Sequence, residues 1–200
     1  MDMAVMAGRA SLSGIQPKLA LIEQDGTFRP ARARELSTHI GKFPSPRHED
    51  LTANECLTTM ALKALLPDDK IVDLHMGTIE GLTEQALIIT RFDRTADGQR
   101  IHFEEFNQLL GYPSDAKYGG SHKRMADFIR ETPGCLPAEI YRLYLRILAG
   151  LLLGNTDMHL KNFAMFHTAS GLRLSPAYDA VSAALYGYKT IALSIGGADN

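Results

Sequence analysis

The pattern of apolar residues changes at the segment TRFDR (residues 90–94), and this change constrains the fold more than any other feature of the chain. Before it, short runs such as LALIEQ (19–24) and THIGKF (38–43) are rich in apolar and β-branched residues, which is typical of strands. After it, helical patterns dominate. The sequence therefore predicts an α+β protein, with a strand-rich N-lobe at residues 1–92 and a mainly helical C-lobe at residues 93–200.

Local signals predict the elements within each lobe. Asp25-Gly26 is a hairpin signal, and the capping-box pattern from Thr52 to Glu55 predicts the start of a helix. Pro137 near its start and Gly154 after its end delimit the strongest helical pattern. An antiparallel strand pair is predicted at 70–77 and 84–92, helices at 103–111, 122–131 and 137–153, and strands at 161–167 and 172–176. We expect a nucleotide to bind in a cleft between the two lobes.

Composition narrows the class of protein. The chain is 45% hydrophobic and 22% charged, which is typical of a folded protein, and its net charge of −2 gives no overall basic field for nucleic acid. Cys56 and Cys135 form no C-x-x-C pair and are predicted to be reduced thiols. The N-terminus lacks the pattern of a secretory signal, and the longest apolar run, ILAGLLLG, is too short to cross a membrane. We expect a cytoplasmic protein.

The segment GNTDMHLKNF (154–163) carries the strongest chemical signal. A carboxylate at Asp157, followed five residues later by the carboxamide of Asn162, matches the base and metal ligand of a phosphoryl-transfer loop. The hairpin predicted after Asn162 would return Asp179 to it as a second metal ligand. Alone, an aspartate such as Asp157 more often caps a helix or holds a turn, and His159 could be structural or contact a phosphate. The combination predicts a kinase.

Two segments of the N-lobe could hold nucleotide phosphates. Lys42 lies in a predicted strand, where an inward-facing lysine needs a partner and could reach phosphates. A lysine on the solvent face of an edge strand is the alternative. Glu55 could pair with Lys42, although a capping-box role explains Glu55 equally well. The segment SLSGIQPK (11–18) could nest an anion, although no G-x-G-x-x-G occurs and an ordinary loop remains open.

Taken together, the motifs resemble those of HipA-like serine/threonine kinases, the toxins of bacterial HipA–HipB toxin–antitoxin modules. The resemblance runs from Ser11 to about Ala184 and implies a bilobal protein-kinase-like fold. The motifs that carry it, in order, are SLSGIQPKLAL, HIGKFP, NEC, RFDR, GYPSDAKYGG, GNTDMHLKNF and LSPAYDAVSA.

The resemblance implies ATP and Mg²⁺ as cofactors and a role for each matching residue. Asp157 would be the catalytic base, and Lys42 would bind the ATP phosphates. Asn162 and Asp179 would hold the metal. The other nucleotide-binding residues would be Ser13, Gly14, Ile15, Gln16, Pro17 and Lys18 in the phosphate loop, Thr90, Arg91, Phe92 and Asp93 at the adenine and ribose, and His159, Lys161 and Tyr178 near the metal site.

The S-x-S pattern of Ser11 and Ser13 resembles the shorter HipT toxins of HipB–HipS–HipT systems, in which either serine can be autophosphorylated. This implies a HipB-like DNA-binding antitoxin and a HipS-like small protein as partners. It also implies an aminoacyl-tRNA synthetase as substrate, with the tryptophanyl enzyme favoured. Contact with nucleic acid would be indirect, through the antitoxin, and no membrane partner is expected.

Other interpretations of the same residues stay open. The family continues beyond the YD segment, so we expect the C-lobe to lack part of its cover at Asn200, to be completed by a further segment or a second chain. A chain of this kind could bind nucleotide or antitoxin without turnover. The pattern D-x-H-x-x-N also resembles phosphoinositide-kinase loops, which leaves a small-molecule or lipid kinase as a further alternative.

Overall fold

The computed structural model describes residues 16–95 and 97–196. Contacts between Cα atoms divide them into two units. The first holds the described residues up to Leu57 together with Val72–Arg100, and the second holds Thr58–Ile71 together with the described residues from Ile101 onward. The strands are β1 (Lys18–Gln24), β2 (Thr27–Pro30), β3 (His39–Lys42), β4 (Leu74–Gly77), β5 (Ala86–Thr90), β6 (Phe103–Glu105), β7 (Ala164–Thr168) and β8 (Gly171–Leu174).

The helices are α1 (Leu51–Leu65), α2 (Phe106–Leu109), α3 (His122–Glu131) and α4 (Ala138–Leu152), with short 3₁₀ helices at Leu160–Asn162 and Ala183–Tyr186. None of the helices in the described ranges is long and apolar enough to cross a membrane. This mixture of segregated strands and helices confirms the predicted α+β class.

The first unit is built on a five-stranded antiparallel sheet in the order β2-β1-β3-β5-β4. The predicted hairpin joins β1 to β2. Asp25 and Gly26 have φ values of +52° and +76°, which match the left-handed turn that suits the twist of paired strands. The apolar face of the sheet packs in a cluster formed by Leu19, Leu21, Phe43, Ile79, Ala86 and Ile88.

Helix α1 starts two residues earlier than the capping-box pattern predicts, since Thr52 as N-cap would make residue 53 the first helical residue. Leu51 is its first residue, so Thr52 lies inside the first turn, and the predicted capping-box register is wrong. The backbone N–H of Asn54 donates to the carbonyl of Asp50, and the carboxylate of Glu55 is used in a buried ion pair with Lys42. A long-range contact has therefore overridden a local signal.

The core of the second unit joins α3 and α4 to the antiparallel sheet β6-β7-β8. Helix α4 agrees with the prediction within one residue at each end, and Gly154 follows it with a φ of +72°. Residues 103–111 differ, because a single helix was predicted there. Phe103–Glu105 instead pair with β7, and only Phe106–Leu109 are helical, since cross-strand pairing outweighs the local preference.

A buried arginine fastens three segments of the second unit together. Arg146 on α4 is 5% exposed, and its guanidinium donates to the carboxylate of Asp69, with Nη2 2.8 Å from Oδ1. It also donates to the carbonyl of Ser175, just after β8, over 2.7 Å. Backbone pairing of Ile71 with Ala177 lies beside this contact. The segment that leads to Asp179 is therefore anchored on α4 by a charged hydrogen-bond network.

A buried histidine makes the stability of this unit depend on pH. His122 begins α3 directly after the N-cap Ser121, is 3% exposed, and packs edge-on against Phe163. Burial lowers the pKa of His122 to about 4. Between pH 6.5 and pH 4 the unfolded chain therefore binds a proton that the folded chain excludes, and stability falls as the pH falls through that window.

We expect His122→Leu to remove the loss of unfolding free energy that His122 causes on acidification. That loss amounts to about 3 kcal/mol between pH 6.5 and pH 4. Urea unfolding of the wild type and the variant at pH 7 and pH 4.5 measures it. The variant should lose clearly less stability on acidification than the wild type. Equal losses in the two proteins would show that His122 does not exclude the proton.

Candidate functional site

The first unit contains a buried lysine–glutamate pair. Lys42 Nζ on β3 lies 2.6 Å from Glu55 Oε1 on α1, and the two side chains are 6% and 1% exposed. Burying either charge alone would cost several kcal/mol, so each requires the other. Lys42 therefore occupies the inward, paired position that the sequence predicts, and Glu55 is its partner.

The end of the predicted phosphate loop lies against the strand that carries Lys42. Gln16 Nε2 donates to the carbonyl of Phe43 over 2.6 Å, and the N–H of Phe43 donates to the carbonyl of Pro17. In the register of the sheet, Lys18 on β1 lies opposite Lys42 on β3. Ser11, Ser13, Gly14 and Ile15 lie outside the described residues.

The residues predicted to hold adenine and ribose follow β5. Thr90 ends that strand, with Phe92 two residues later, and the N–H of Arg91 donates to the carbonyl of Thr38. The carboxylate of Asp93 accepts hydrogen bonds from the guanidinium groups of Arg91 and Arg94, with closest distances of 2.6 Å and 2.7 Å. Burial would raise the pKa of Asp93, but the two arginines outweigh it and hold that pKa below its ordinary value.

The segment 154–162 in the second unit forms a braced loop. Asn155 N–H donates back to the carbonyl of Gly150 on α4, and Thr156 Oγ1 donates to the carbonyl of Tyr188. Leu160 is fully buried and fixes the 3₁₀ turn that carries Asn162. A side chain on Gly154 would meet Ser182 Oγ at 2.8 Å, so this entry to the loop requires glycine as well as a positive φ.

The hairpin of β7 and β8 returns Asp179 to Asn162, as the sequence predicts. Asn162 Nδ2 donates to Asp179 Oδ2 over 3.1 Å, while Asn162 Oδ1 accepts from the N–H of His159. Tyr178 donates its hydroxyl to the carbonyl of Lys161 over 2.8 Å, which ties the two segments beside that contact. Asp179 has a φ of +59°, a left-handed conformation that aspartate adopts at a cost of about 1 kcal/mol.

This pair of side chains fits a magnesium ion. Mg²⁺ prefers oxygen ligands and is usually held by one or two carboxylates, with waters and phosphate oxygens completing the shell. Asp179 offers a carboxylate and Asn162 a carboxamide oxygen. In this structure Asn162 turns its Nδ2 toward Asp179, 3.1 Å from Oδ2, so its side chain would turn its oxygen to the ion on binding. Their chemistry suits Mg²⁺ better than a late transition metal, which would favour nitrogen or sulfur.

Two residues of the loop GYPSDAKYGG contact the candidate catalytic residues and were not predicted. Tyr118 Oη donates to Asp157 Oδ1 over 2.9 Å, and Lys117 Nζ lies 2.8 Å from His159 Nε2. The Tyr118 ring also stacks edge-on against the imidazole of His159. In the sequence these two residues are only a lysine and a tyrosine before a glycine pair. That pattern does not indicate which residues they contact.

These contacts affect ionisation. Burial and the hydrogen bond to Asp157 raise the pKa of Tyr118 to about 12, so its hydroxyl remains a donor at neutral pH. Burial, reinforced by the charge of Lys117, lowers the pKa of His159. His159 is therefore predominantly neutral at pH 7. The loop around Asp157 thus combines a carboxylate, a fixed hydroxyl donor and a neutral imidazole.

An open pocket of about 370 Å³ lies beside Lys161 in the same unit. Lys161 Nζ lies 3.0 Å from Ser114 Oγ at its edge. The other lining residues are Phe103, Glu105, Asn107, Gln108 and Tyr112.

The chain is similar to proteins named as kinases. It is 32% identical over 199 residues to the serine/threonine-protein kinase toxin HipA of Shewanella oneidensis, covering 89% of this chain and 44% of the relative. The solved complex of S. oneidensis HipA with HipB and its operator DNA matches with a TM-score of 0.74 and 30% identity, over 92% of this chain and 47% of that one. The match to HipA confirms the predicted kinase-like, HipA-type fold.

A more distant structure agrees at the level of the fold. The proinflammatory kinase CtkA of Helicobacter pylori matches with a TM-score of 0.63 at 13% identity, over 88% of this chain and 56% of that chain. The chain spans about half the length of the curated relatives it matches. The HipA-like C-terminal domain family matches residues 10–200, so the chain belongs to the HipA-like family.

Proposed function

We propose that this chain carries the nucleotide- and metal-binding residues of an ATP- and Mg²⁺-dependent serine/threonine protein kinase. The observation that carries the proposal is the hydrogen bond from Asn162 Nδ2 to Asp179 Oδ2 over 3.1 Å, which joins Asp179 to the loop that also carries Asp157. Phosphoryl transfer requires little covalent chemistry from the protein, because positioning and charge neutralisation supply most of the catalysis. Aspartate, asparagine and lysine side chains can provide both the positioning and the charge neutralisation.

Each residue has a role in this proposal. Asp157 accepts the proton of the substrate serine hydroxyl as it attacks. Asn162 and Asp179 hold Mg²⁺, which when bound neutralises phosphate charge. Lys42, oriented by Glu55, contacts the ATP phosphates. Gln16, Pro17 and Lys18 belong to the phosphate loop that the family resemblance assigns to residues 13–18.

The remaining nucleotide contacts are proposed by the same family resemblance. Thr90, Arg91 and Phe92 would hold the adenine and Asp93 would lie near the ribose. His159, Lys161 and Tyr178 would line the nucleotide and metal end of the site. The neutral state of His159 suits a contact with phosphate through an N–H donor.

Tyr118 is proposed as a positioning residue for Asp157, and Tyr118→Phe tests this. Removing a hydrogen bond to a charged group costs about 1.5–3 kcal/mol, only part of which would be lost in the transition state. We expect kcat to fall roughly tenfold while KM for ATP is unchanged.

Tyr112→Phe is the matched control, because that hydroxyl contacts Arg124 over 3.0 Å in the same loop region and does not contact Asp157. It should leave kcat at the wild-type value. Similar losses of kcat in the two variants would mean that Tyr118 supports the conformation of the loop and does not position Asp157.

The wider role follows from the family. We propose that the protein acts as the toxin of a toxin–antitoxin module with a HipB-like antitoxin, in line with the HipA–HipB–DNA assembly of the similar structure. Its proposed substrate is an aminoacyl-tRNA synthetase, with the tryptophanyl enzyme first. The S-x-S pattern at Ser11 and Ser13 points to a HipT-like form with autophosphorylation as self-control and a HipS-like small protein as a further partner.

Quantitative phosphoproteomics of cells that express the full-length wild type or its Asp157→Asn variant tests this role. We expect phosphoserine on one synthetase and on Ser11 or Ser13 in wild-type cells alone. New phosphoserine on other proteins and on no synthetase would refute the proposed synthetase substrate but would leave the kinase proposal standing. No difference between the two cell lines would refute the kinase proposal.

A further inference from the structure

We infer that His102, Glu104 and His167 form a binding site for a divalent transition-metal ion such as Zn²⁺, separate from the residues proposed to hold Mg²⁺. Among the described residues, they are the one group of three histidine, cysteine or acidic side chains whose ligand atoms all lie within 4.8 Å of one another. All three belong to the second unit.

The strand register explains why these side chains meet. Phe103 pairs with Phe166, which places His102 directly opposite His167, and the N–H of His167 donates to the carbonyl of His102. Alternate residues of a strand share a face, so Glu104 projects on the same side as His102. The backbone of β6 and β7 therefore presents two imidazoles and one carboxylate on one face of the sheet.

The distances suit a shared ion. Glu104 Oε2 lies 2.9 Å from His167 Nε2 and 3.7 Å from His102 Nε2, and the two imidazole centroids are 4.7 Å apart. Ligand atoms around tetrahedral Zn²⁺, at bonds of about 2.0–2.1 Å, are about 3.3 Å from one another. Small rotations of the side chains would bring all three atoms to that spacing.

The chemistry selects the class of metal. Two imidazole nitrogens with one carboxylate oxygen are a ligand set of zinc proteins, in which water takes the fourth position. Magnesium prefers oxygen ligands and would gain only one here. The histidine side chains are 69% and 45% exposed, so an ion and its water can reach them from solvent.

Such an ion would act as a clamp between two strands. Glu104 lies on β6, and β7 begins two residues after Asn162, so the ion would fasten the hairpin that carries one side of the proposed Mg²⁺ site. Phe103 and Glu105, on the alternate positions of β6, line the open pocket beside Lys161. The clamp would therefore steady this strand from the face opposite the pocket.

Zn²⁺ titration of the full-length protein tests the inference and does not require kinase activity. Isothermal titration calorimetry in excess Mg²⁺, which occupies the oxygen-ligand site, would measure Zn²⁺ affinity. We expect micromolar binding by the wild type and at least about tenfold weaker binding by His102→Ala and His167→Ala, because each removes one of three ligands. Co²⁺ should give a visible ligand-field band that the same two variants lose.

His75→Ala is the matched control, since His75 is an exposed histidine on β4 in the other unit, and it should bind Zn²⁺ like the wild type. The thermal midpoint supplies a second readout. Zn²⁺ should raise the midpoint of the wild type and of His75→Ala, EDTA should reverse the rise, and the two site variants should show none. Wild-type affinity weaker than millimolar, or unchanged affinity in both site variants, would overturn the inference.

Discussion

Asp157→Asn is expected to reduce phosphoryl transfer by at least about 100-fold while leaving the fold intact. A general base contributes roughly 10²–10⁴-fold to a rate, and a carboxamide cannot accept the proton. The asparagine Oδ1 can still accept the hydrogen bond that Tyr118 donates to Asp157 over 2.9 Å, so the loop should keep its geometry. Transfer from radiolabelled ATP measures the loss, with circular dichroism and the unfolding midpoint as checks on the fold.

Asp115→Asn is the control for this change. Asp115 is an exposed aspartate three residues from Tyr118, so its substitution alters the same net charge near the same loop. We expect wild-type transfer from it. Retained transfer in Asp157→Asn would refute the assignment of the base, and an equal loss in both variants would show that surface charge, rather than proton acceptance, is responsible.

Glu55→Gln is expected to destabilise the first unit by about 3–5 kcal/mol, because it removes the carboxylate that neutralises a buried ammonium. The pair is 2.6 Å apart, with side chains 6% and 1% exposed. Replacing both residues by similar-sized apolar ones, as Lys42→Met with Glu55→Met, should restore most of that stability, since no charge is then buried. The double variant should nevertheless bind ATP more weakly than the wild type, because it lacks the proposed contact of Lys42 with the phosphates.

Urea unfolding and ATP titration separate these two effects. The solvated pair Lys123–Asp127 has the same 2.6 Å separation, and Asp127 also contacts Arg130 over 2.7 Å. Asp127→Asn should cost far less stability than Glu55→Gln, because water solvates these charges. A double variant no more stable than Glu55→Gln would contradict the energetic account of the pair. A double variant that bound ATP like the wild type would contradict the role of Lys42.

Contacts that follow from local patterns could be predicted from the sequence. The hairpin predicted between Asn162 and Asp179 was expected to bring the two residues together, and the structure has them in contact. The strand around Lys42 left two orientations open, solvent-facing or inward, and only the inward one needed an acidic partner. The short hairpin was enough to predict the first contact, whereas the strand alone restricted Lys42 to one of two faces and the structure places it on the inner one.

Contacts decided by tertiary partners could not be predicted. Glu55 fitted a capping box and an ion pair equally well, and only the position of Lys42 decides between them. Tyr118 reaches Asp157 across 39 residues through a loop with no periodicity. Strand β6 is three residues long and pairs with β7. Its own residues carry only a helical pattern, so the strand could not be predicted without its partner.

The most direct test of the central claim is transfer of the γ-phosphate of labelled ATP to serine by the full-length wild-type protein. Parallel reactions with α-labelled ATP, with EDTA, and with Asp157→Asn serve as controls. We predict alkali-labile phosphoserine from γ-labelled ATP alone, only with Mg²⁺ present, and at least about 100-fold less with Asp157→Asn. No protein-bound label above that of Asp157→Asn, or label released only as free phosphate, would contradict the assignment of a serine/threonine protein kinase.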